Sequence, residues 1–547
     1  MILLDNARAA ARLATDLPRF LRERLTTDQC IATVRAQLAR REASFLEIVQ
    51  ELVFDRPDGP YLPLFRHAGL EPGDVTGLVA KEGLEGALRR LHAAGVYLTY
   101  EEFKGRREVE RGSGRFMFHE TDFDNPRVRA HFSTRTGGTS GRSITAPIDL
   151  RHVAYESALR GLAYAAHGVV GSPVAQWMPV PPDSTGFRRL LLEAKIASRP
   201  PERWFAPTAL NDRMGTAGLL ALTAIGKVMG RSFPWPEHVP SDRADIPAGW
   251  LASASARAGT AVLVGFASPA LAASRSAQSQ GLDLTGGVFS VTGEPITAAR
   301  LAQLTRSGAR VIQTYVASEV GHLGISCPSP AHADDLHLVT DVVSAGQHER
   351  EHHGMLVRPL LFTTLHPLAR KVLINVETDD TGVLEERSCG CLLEQIGFTT
   401  HLHGVRSFGK LTTAGMTVLN ADLVRIAEEL LPARFGGGVG HYQFMESEAP
   451  DGLMHVTLLV DPEVGAIDPA LVVQAVLDDL KKGRPGYRLA AEVWRQAETL
   501  RVDRRKPIAT ARGKVLPLYI SQEADPSGRA LFQARSCQLP VSSPKFK

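Results

Sequence analysis

The sequence predicts an α/β chain: a large unit of largely parallel strands followed by a small α+β unit. Three observations predict it. From about residue 130 to 400, short apolar runs alternate with segments of helical spacing, the pattern of strand–helix–strand units. After about residue 403 the texture changes to well-separated strands and amphipathic helices. At 547 residues the chain also exceeds what one ordinary core organises, so two or three domains are expected.

Residues 1–100 are rich in Leu, Ala, Arg and Glu. Leu84-Glu-Gly-Ala-Leu-Arg-Arg-Leu-His repeats apolar residues at three and four, so this portion is read as helical. Val128–Ser133 predicts a short strand. Further on, Ala261-Val-Leu-Val-Gly-Phe, Val288-Phe-Ser-Val-Thr and Arg310-Val-Ile-Gln-Thr-Tyr predict three buried strands, with a helix over 296–307 between the last two. Proline-rich patches at 179–182, 200–201 and 234–240 are loops. In the last part, Leu453-Met-His-Val-Thr-Leu-Leu-Val-Asp predicts a strand. Residues 469–482 predict a helix with Val473, Val476, Leu477 and Leu480 on one face. The expected division is a helical portion over 1–100, a large domain over 101–403, a small domain over 404–522 and a tail over 523–547, rich in Ser, Pro and Lys and expected to be disordered.

Bulk properties exclude several classes. Apolar residues make up 44% and charged residues 22%, ordinary for a soluble enzyme. The net charge of +3, from 62 basic and 59 acidic residues, gives no case for nucleic acid as a partner. The most apolar stretches, 218–225 and 258–266, are too short to span a bilayer and are read as buried helix and strand. No basic segment followed by a long apolar run opens the chain. Five cysteines in so long a chain do not form a disulfide framework, so a reducing cytoplasm is the expected location.

Residues 136–143, Thr-Gly-Gly-Thr-Ser-Gly-Arg-Ser, hold three glycines, two threonines and two serines. Such a loop offers free backbone N–H groups and hydroxyls without bulky side chains, a surface that suits phosphate. It lacks the Gly-Lys-Ser/Thr ending of a Walker A loop and the Gly-x-Gly-x-x-Gly spacing of a dinucleotide fingerprint. Alone it reads equally as a plain hairpin. Four segments follow in order: Thr292-Gly-Glu-Pro295, Thr314-Tyr-Val-Ala-Ser-Glu-Val-Gly321, Val376-Glu-Thr-Asp-Asp-Thr-Gly382 and Lys506-Pro-Ile-Ala-Thr-Ala-Arg-Gly-Lys514.

This order resembles the adenylate-forming superfamily of acyl-CoA synthetases and adenylation domains, and within it the phenylacetate-CoA ligase-like branch, over roughly residues 95–520. The resemblance implies a multi-layer large domain with mixed, largely parallel sheets and a small mobile C-terminal domain. It implies ATP phosphates at Gly137, Gly138, Thr139, Ser140 and Gly141, although Ser143-Ile144 stand where the family has a lysine and Arg142 is the nearby charge. It implies Gly293, Glu294 and Pro295 lining the adenine site and Tyr315 stacking on the base. Glu319 would hold Mg²⁺, a hard cation that wants oxygen ligands. Asp380 would bind the ribose, with Asp379 as alternative. Arg406 would open the small domain, where Phe408 or Gly409 replaces the usual acidic hinge, and Gly415 would sit in the first hairpin of that domain. Lys514 would steady the reacting phosphate and carboxylate.

A metal site is a further candidate. Cys389-Gly-Cys391 and Cys327, with His332 or His337, offer thiolate and imidazole ligands that suit structural Zn²⁺, and relatives in the same branch carry similar residues. His401 and His403 are expected near the domain boundary. The reaction implied is attack of a small carboxylic acid on ATP, with Mg²⁺, to give an acyl adenylate and pyrophosphate, then transfer to coenzyme A or a carrier-protein thiol. An amide-forming or acyl-protein ligase without coenzyme A, and a catalytically degraded relative, are the alternatives. Trp177, Phe187 and Phe289 are candidate walls of the acid pocket.

Overall fold

The computed structural model describes the chain except for residues 1, 136–144, 182, 197–199, 295, 353–354, 408–409, 414–415, 439, 449–453, 483–484, 509–514, 516 and 521–547. The fold is α/β, built around a twelve-stranded mixed sheet. Its strands in chain order are β1 (Val174–Trp177), β2 (Arg203–Ala206), β3 (Pro236–His238), β4 (Ala261–Phe266), β5 (Gly287–Thr292), β6 (Arg310–Ala317), β7 (Gly321–Ser326), β8 (Leu336–Leu338), β9 (Val343–Gln347), β10 (Pro359–Thr364), β11 (Val376–Glu386) and β12 (Thr400–Ser407). Across the sheet the order is β9-β10-β11-β12-β8-β7-β6-β5-β4-β1-β2-β3. From β6 to β3 every pairing is parallel; from β6 to β9 every pairing is antiparallel.

Physical chemistry separates the halves. Strands β1, β4 and β5 are buried on both faces beneath helices, which accounts for their unbroken apolar runs. The antiparallel half carries polar side chains, including Tyr315, Asp380 and His401. The N-terminal portion is helical as expected: Ile2–Arg22, Thr27–Ala39, Arg41–Val49, Leu62–His67 and Pro72–Ala93. Thr26 and Gln29 close a reciprocal capping box on the second of these. The expected strand over 128–133 lies later, at Phe132–Arg135, paired antiparallel with Thr145–Ile148. The glycine-rich residues 136–144 therefore join the two strands of a hairpin and lie themselves outside the described residues. Asp149 caps the helix α1 (Leu150–Ala166) that follows, accepting from Arg151 N at 2.9 Å.

The last part has its own core, centred on Ile426, Phe444, Leu458, Val476 and Trp494. Its four-stranded sheet is ordered β15-β14-β13-β16, from β13 (Tyr442–Glu448), β14 (Met454–Val460), β15 (Leu500–Asp503) and β16 (Leu518–Ile520). The helix Pro469–Lys482 spans the expected residues and buries Val472, Val476, Leu477 and Leu480, with Val473 only partly covered. Arg406 departs from expectation. It lies inside β12 of the main sheet, opposite Thr381, so the texture change at 403–404 falls within a strand rather than at its end. Gly415 and the hinge positions 408–409 lie outside the described residues.

Candidate functional site

β6 and β11 lie four places apart in the sheet, about 19 Å if it were flat. Yet the Tyr315 hydroxyl donates to Asp380 Oδ2 at 2.7 Å. The antiparallel half must curl back over β6 to allow this, the outcome of strand twist accumulated over successive antiparallel pairs. Tyr315 also packs beside Phe362 of β10, ring centroids 6.5 Å apart. Burial, reinforced by Asp380, pushes the Tyr315 phenol well above its ordinary range, so it remains a donor. Asp379 is turned inward and is 4% exposed, which leaves Asp380 as the carboxylate facing Tyr315. Arg406, one position from Ser407 across from Asp380, is paired with Asp334 at 3.2 Å.

Glu319 lies in the turn between β6 and β7 rather than in a helix. Its Oε1 accepts from Lys104 Nζ at 2.9 Å, and Ser318 Oγ donates to Oε2 at 2.9 Å. Lys104 also bonds Glu120 at 2.9 Å and is 2% exposed at its side chain. Burial alone would raise the Glu319 carboxyl, but the adjacent Lys104 ammonium holds it down at about 2. Lys104 gave no signal in the sequence, where Lys-Gly-Arg-Arg reads as a solvated basic turn. The folded carboxyl at about 2 lies below the ordinary 4.5, so this pairing adds stability above 4.5 and loses it as pH falls toward 2. Glu319→Gln is therefore expected to lower the melting temperature at pH 7, with the deficit against wild type shrinking between pH 5 and 3. A pH series of thermal melts checks this; a deficit independent of pH would show that Lys104 does not set the charge.

The turn after β5 holds Gly293 at φ 81°, where an added Cβ would meet the Phe266 ring at 2.9 Å. Glu294 does not point outward. It accepts from Ser268 N at 3.1 Å and Ser268 Oγ at 2.5 Å and pairs with Arg300 at 3.2 Å, fully buried. Its side chain thus braces the turn. Pro295, Lys514 and the loop residues Gly137, Gly138, Thr139, Ser140 and Gly141 lie outside the described residues. The hairpin that carries the loop is tied to the Glu319 turn through α1. Gly321, at φ 112°, lets the start of β7 close on Glu156 of α1, where a Cβ would lie 2.4 Å from Glu156 Oε1. Trp177 and Phe289 are core residues, 2% and 0% exposed, and Phe187 packs edge-on to Phe132, so none is marked out as a pocket wall.

The cysteine cluster forms, with one correction. Cys327, His337, Cys389 and Cys391 bring one ligand atom each to within 4.8 Å of one another. His332 is not among them. It leaves the set because it sits in the loop before β8 and stacks on His403, ring centroids 3.7 Å apart. His337 lies within β8, with Nε2 3.2 Å from Cys391 Sγ and 3.5 Å from Cys389 Sγ. Its Nδ1 donates to Phe398 O at 2.7 Å, which fixes Nε2 as the free lone pair. Glu394 gathers the Cys-Gly-Cys turn, accepting from Cys389 N at 2.8 Å and from Gly390 N at 2.5 Å. His401 is fully buried in the main sheet against Asp335 at 2.7 Å, not at a domain boundary.

No protein-family profile and no curated protein matches the chain. Among solved structures it is similar to a 2-hydroxyisobutyryl-CoA ligase in complex with an acyl-AMP and CoA, at 13% identity, covering 89% of each chain with a TM-score of 0.47. It is also similar to an amide bond synthetase from Marinactinospora thermotolerans, at 13% identity over 88% of this chain and 93% of that one, with a TM-score of 0.37. No helix among the described residues is long and apolar enough to cross a membrane.

Proposed function

We propose that the chain is an adenylate-forming ligase that activates a small carboxylic acid with ATP, releases pyrophosphate and passes the acyl group to a thiol, coenzyme A or a carrier protein. The observation that carries this reading is the Tyr315–Asp380 hydrogen bond of 2.7 Å, which joins two of the five ordered motifs across 65 residues of sequence. The Glu319 carboxylate adds to the negative potential at the same tyrosine. A planar phenol beside a carboxylate matches a nucleoside: the ring stacks on the base and the carboxylate accepts from ribose hydroxyls.

In this reading the glycine loop hairpin holds the polyphosphate through backbone N–H groups, and Lys514 approaches from the small domain. Glu319 suits Mg²⁺ because Lys104 occupies Oε1 and leaves Oε2, behind the movable Ser318 hydroxyl, for the ion. Bound there, the ion would neutralise phosphate charge. The reaction asks the protein to hold the acid oxygen in line with the α-phosphorus and to stabilise developing charge. The four-residue Cys327, His337, Cys389, Cys391 set fits structural Zn²⁺, since four protein ligands leave no open position for chemistry.

Acid-dependent exchange of labelled pyrophosphate into ATP, run over a panel of aryl, aliphatic and dicarboxylic acids, tests the reading. Asp380→Ala is expected to raise the KM for ATP about tenfold, the worth of one or two hydrogen bonds to a charged acceptor, with little change in fold. Tyr315→Phe keeps the ring and removes only the phenol's hydrogen bond to Asp380, so it should change that KM by a factor of about three or less. Equal KM values in wild type and Asp380→Ala would move the nucleotide elsewhere. Formation of a hydroxamate or amide without coenzyme A would replace the thioester half of the reading and keep the adenylate half.

A further inference from the structure

Behind the Glu319 turn lies a buried ionic cluster that the proposed chemistry does not use. The helix α2 (Thr185–Ile196) packs on α1, and between them and β7 lie four arginines and two glutamates. Arg160 pairs with Glu193, and Arg188 pairs with Glu156. Arg370 donates through Nη1 to Ser318 O, one residue from Glu319. Arg189 is 2% exposed, and its Nε and Nη1 have no hydrogen-bond partner. Arg188 Nε and Arg370 Nε are orphaned as well. Two carboxylate oxygens, Glu156 Oε2 and Glu193 Oε2, are also unpartnered, but the orphan donors outnumber them.

The histidines at this place add no charge of their own. His152 and His322 lie 3.7 and 3.4 Å from Glu156, and burial holds both rings down at about 4, so they are neutral at physiological pH. Burial, with Arg160 and Arg188 close by, lowers Arg189 to about 9, which still leaves it charged at pH 7. The carboxylate that acts on Arg189 is Glu193, which is already paired with Arg160, and two buried guanidinium groups sharing one anion are unfavourable in a protein interior. The Arg189 donors call for an acceptor that carries negative charge and fits a planar fork, which is a carboxylate.

We propose that Arg189, supported by Arg188 and Arg370, receives a second carboxylate of the acid substrate, so that the enzyme prefers short dicarboxylic acids. The inference rests on the adenylating reading for the fate of the first carboxylate. Arg370 gives the geometric link: it ties the cluster to the backbone of Ser318, next to the carboxylate proposed to hold Mg²⁺. One end of the acid then reaches the nucleotide while the other ends on Arg189. Arg189 acts as a specificity-determining residue and takes no part in bond making.

The test compares succinate, glutarate and adipate with butyrate, valerate and hexanoate. Pyrophosphate exchange and ligand-induced thermal shift without ATP are both read, in wild type, Arg189→Met and Arg189→Lys. Wild type should favour at least one diacid over its length-matched monoacid by about a hundredfold in kcat/KM. Arg189→Met should lose that preference, keep monoacid turnover and melt no lower than wild type without acid. Arg189→Lys should retain part of the preference, which a purely structural role would not produce. Equal use of diacids and monoacids by wild type, or a preference that survives in Arg189→Met, overturns the proposal. If no acid supports exchange but diacids alone raise the wild-type melting temperature, the adenylating reading falls and the anion site stands.

Discussion

Replacing Lys514 with alanine is expected to lower acid-dependent pyrophosphate exchange by about two orders of magnitude while leaving the fold intact. Lys514 lies outside the described residues, but the chain is anchored on both sides of it. Ile508 exchanges two hydrogen bonds with the Gln443 side chain, at 2.7 and 3.0 Å. Beyond the lysine, Leu518 pairs in parallel with Phe444. Both anchors are on β13. Two residues further along β13, Glu446 shares an electrostatic environment with Arg300, Glu294 and Arg406 of the large unit, and burial there pushes its carboxyl up to about 7. The strand that anchors the described residues on either side of Lys514 therefore also faces the Gly293–Glu294 turn. Removing one cation from a developing anionic transition state costs on the order of 3 kcal/mol, about a hundredfold in rate. No core residue is lost, so the melting temperature should stay within about 2 °C of wild type. Undiminished exchange with an accepted acid would remove Lys514 from the mechanism.

The parallel half of the fold was legible because burial on both faces leaves an unmistakable apolar run, and Ala261–Phe266 emerges with the expected bounds; the helix Pro469–Lys482 of the last part does so through its three-and-four spacing. Motif order singled out Tyr315, Glu319 and Asp380 as candidates but could not reveal that sheet curl sets Tyr315 on Asp380, since that contact depends on five strands together. Lys104 was invisible for a related reason. Its partners Glu120 and Glu319 come from segments 16 and 215 residues away, and nothing local distinguishes a buried lysine from a solvated one. Arg188-Arg189 likewise reads as the polar face of a helix, but α2 is buried along most of its length. His332 and His337 both fit a metal-ligand spacing; only the strand pairing of β8 between β7 and β12 decides for His337.

Stripping zinc, or replacing His337 with alanine, is the second large effect expected, and it should fall on stability before selectivity. Cys327 follows the last residue of β7, whose first residue comes directly after the Glu319 turn. Cys389 and Cys391 follow β11, which carries Asp380. A closed four-ligand site would therefore bind together β7 and β11 at a distance from the residues proposed to meet the nucleotide: six residues of β7 and the six steps from Asp380 to Glu386 each span about 20 Å. A metal present at a thousand times its dissociation constant stabilises the folded state by about 4 kcal/mol, and metal-binding energy here is in part folding energy. Chelation should lower the melting temperature by on the order of 5 °C, restored by Zn²⁺. The ratio of kcat/KM between two accepted acids should change less than about twofold, because the four ligands lie a strand length from both Glu319 and Asp380. His332→Ala should leave zinc content at one equivalent, whereas His337→Ala should lose it. Elemental analysis of protein purified without added metal decides the matter. Less than about a tenth of an equivalent, with Cys389 and Cys391 freely titratable, would end the zinc assignment and leave the adenylating site where it is.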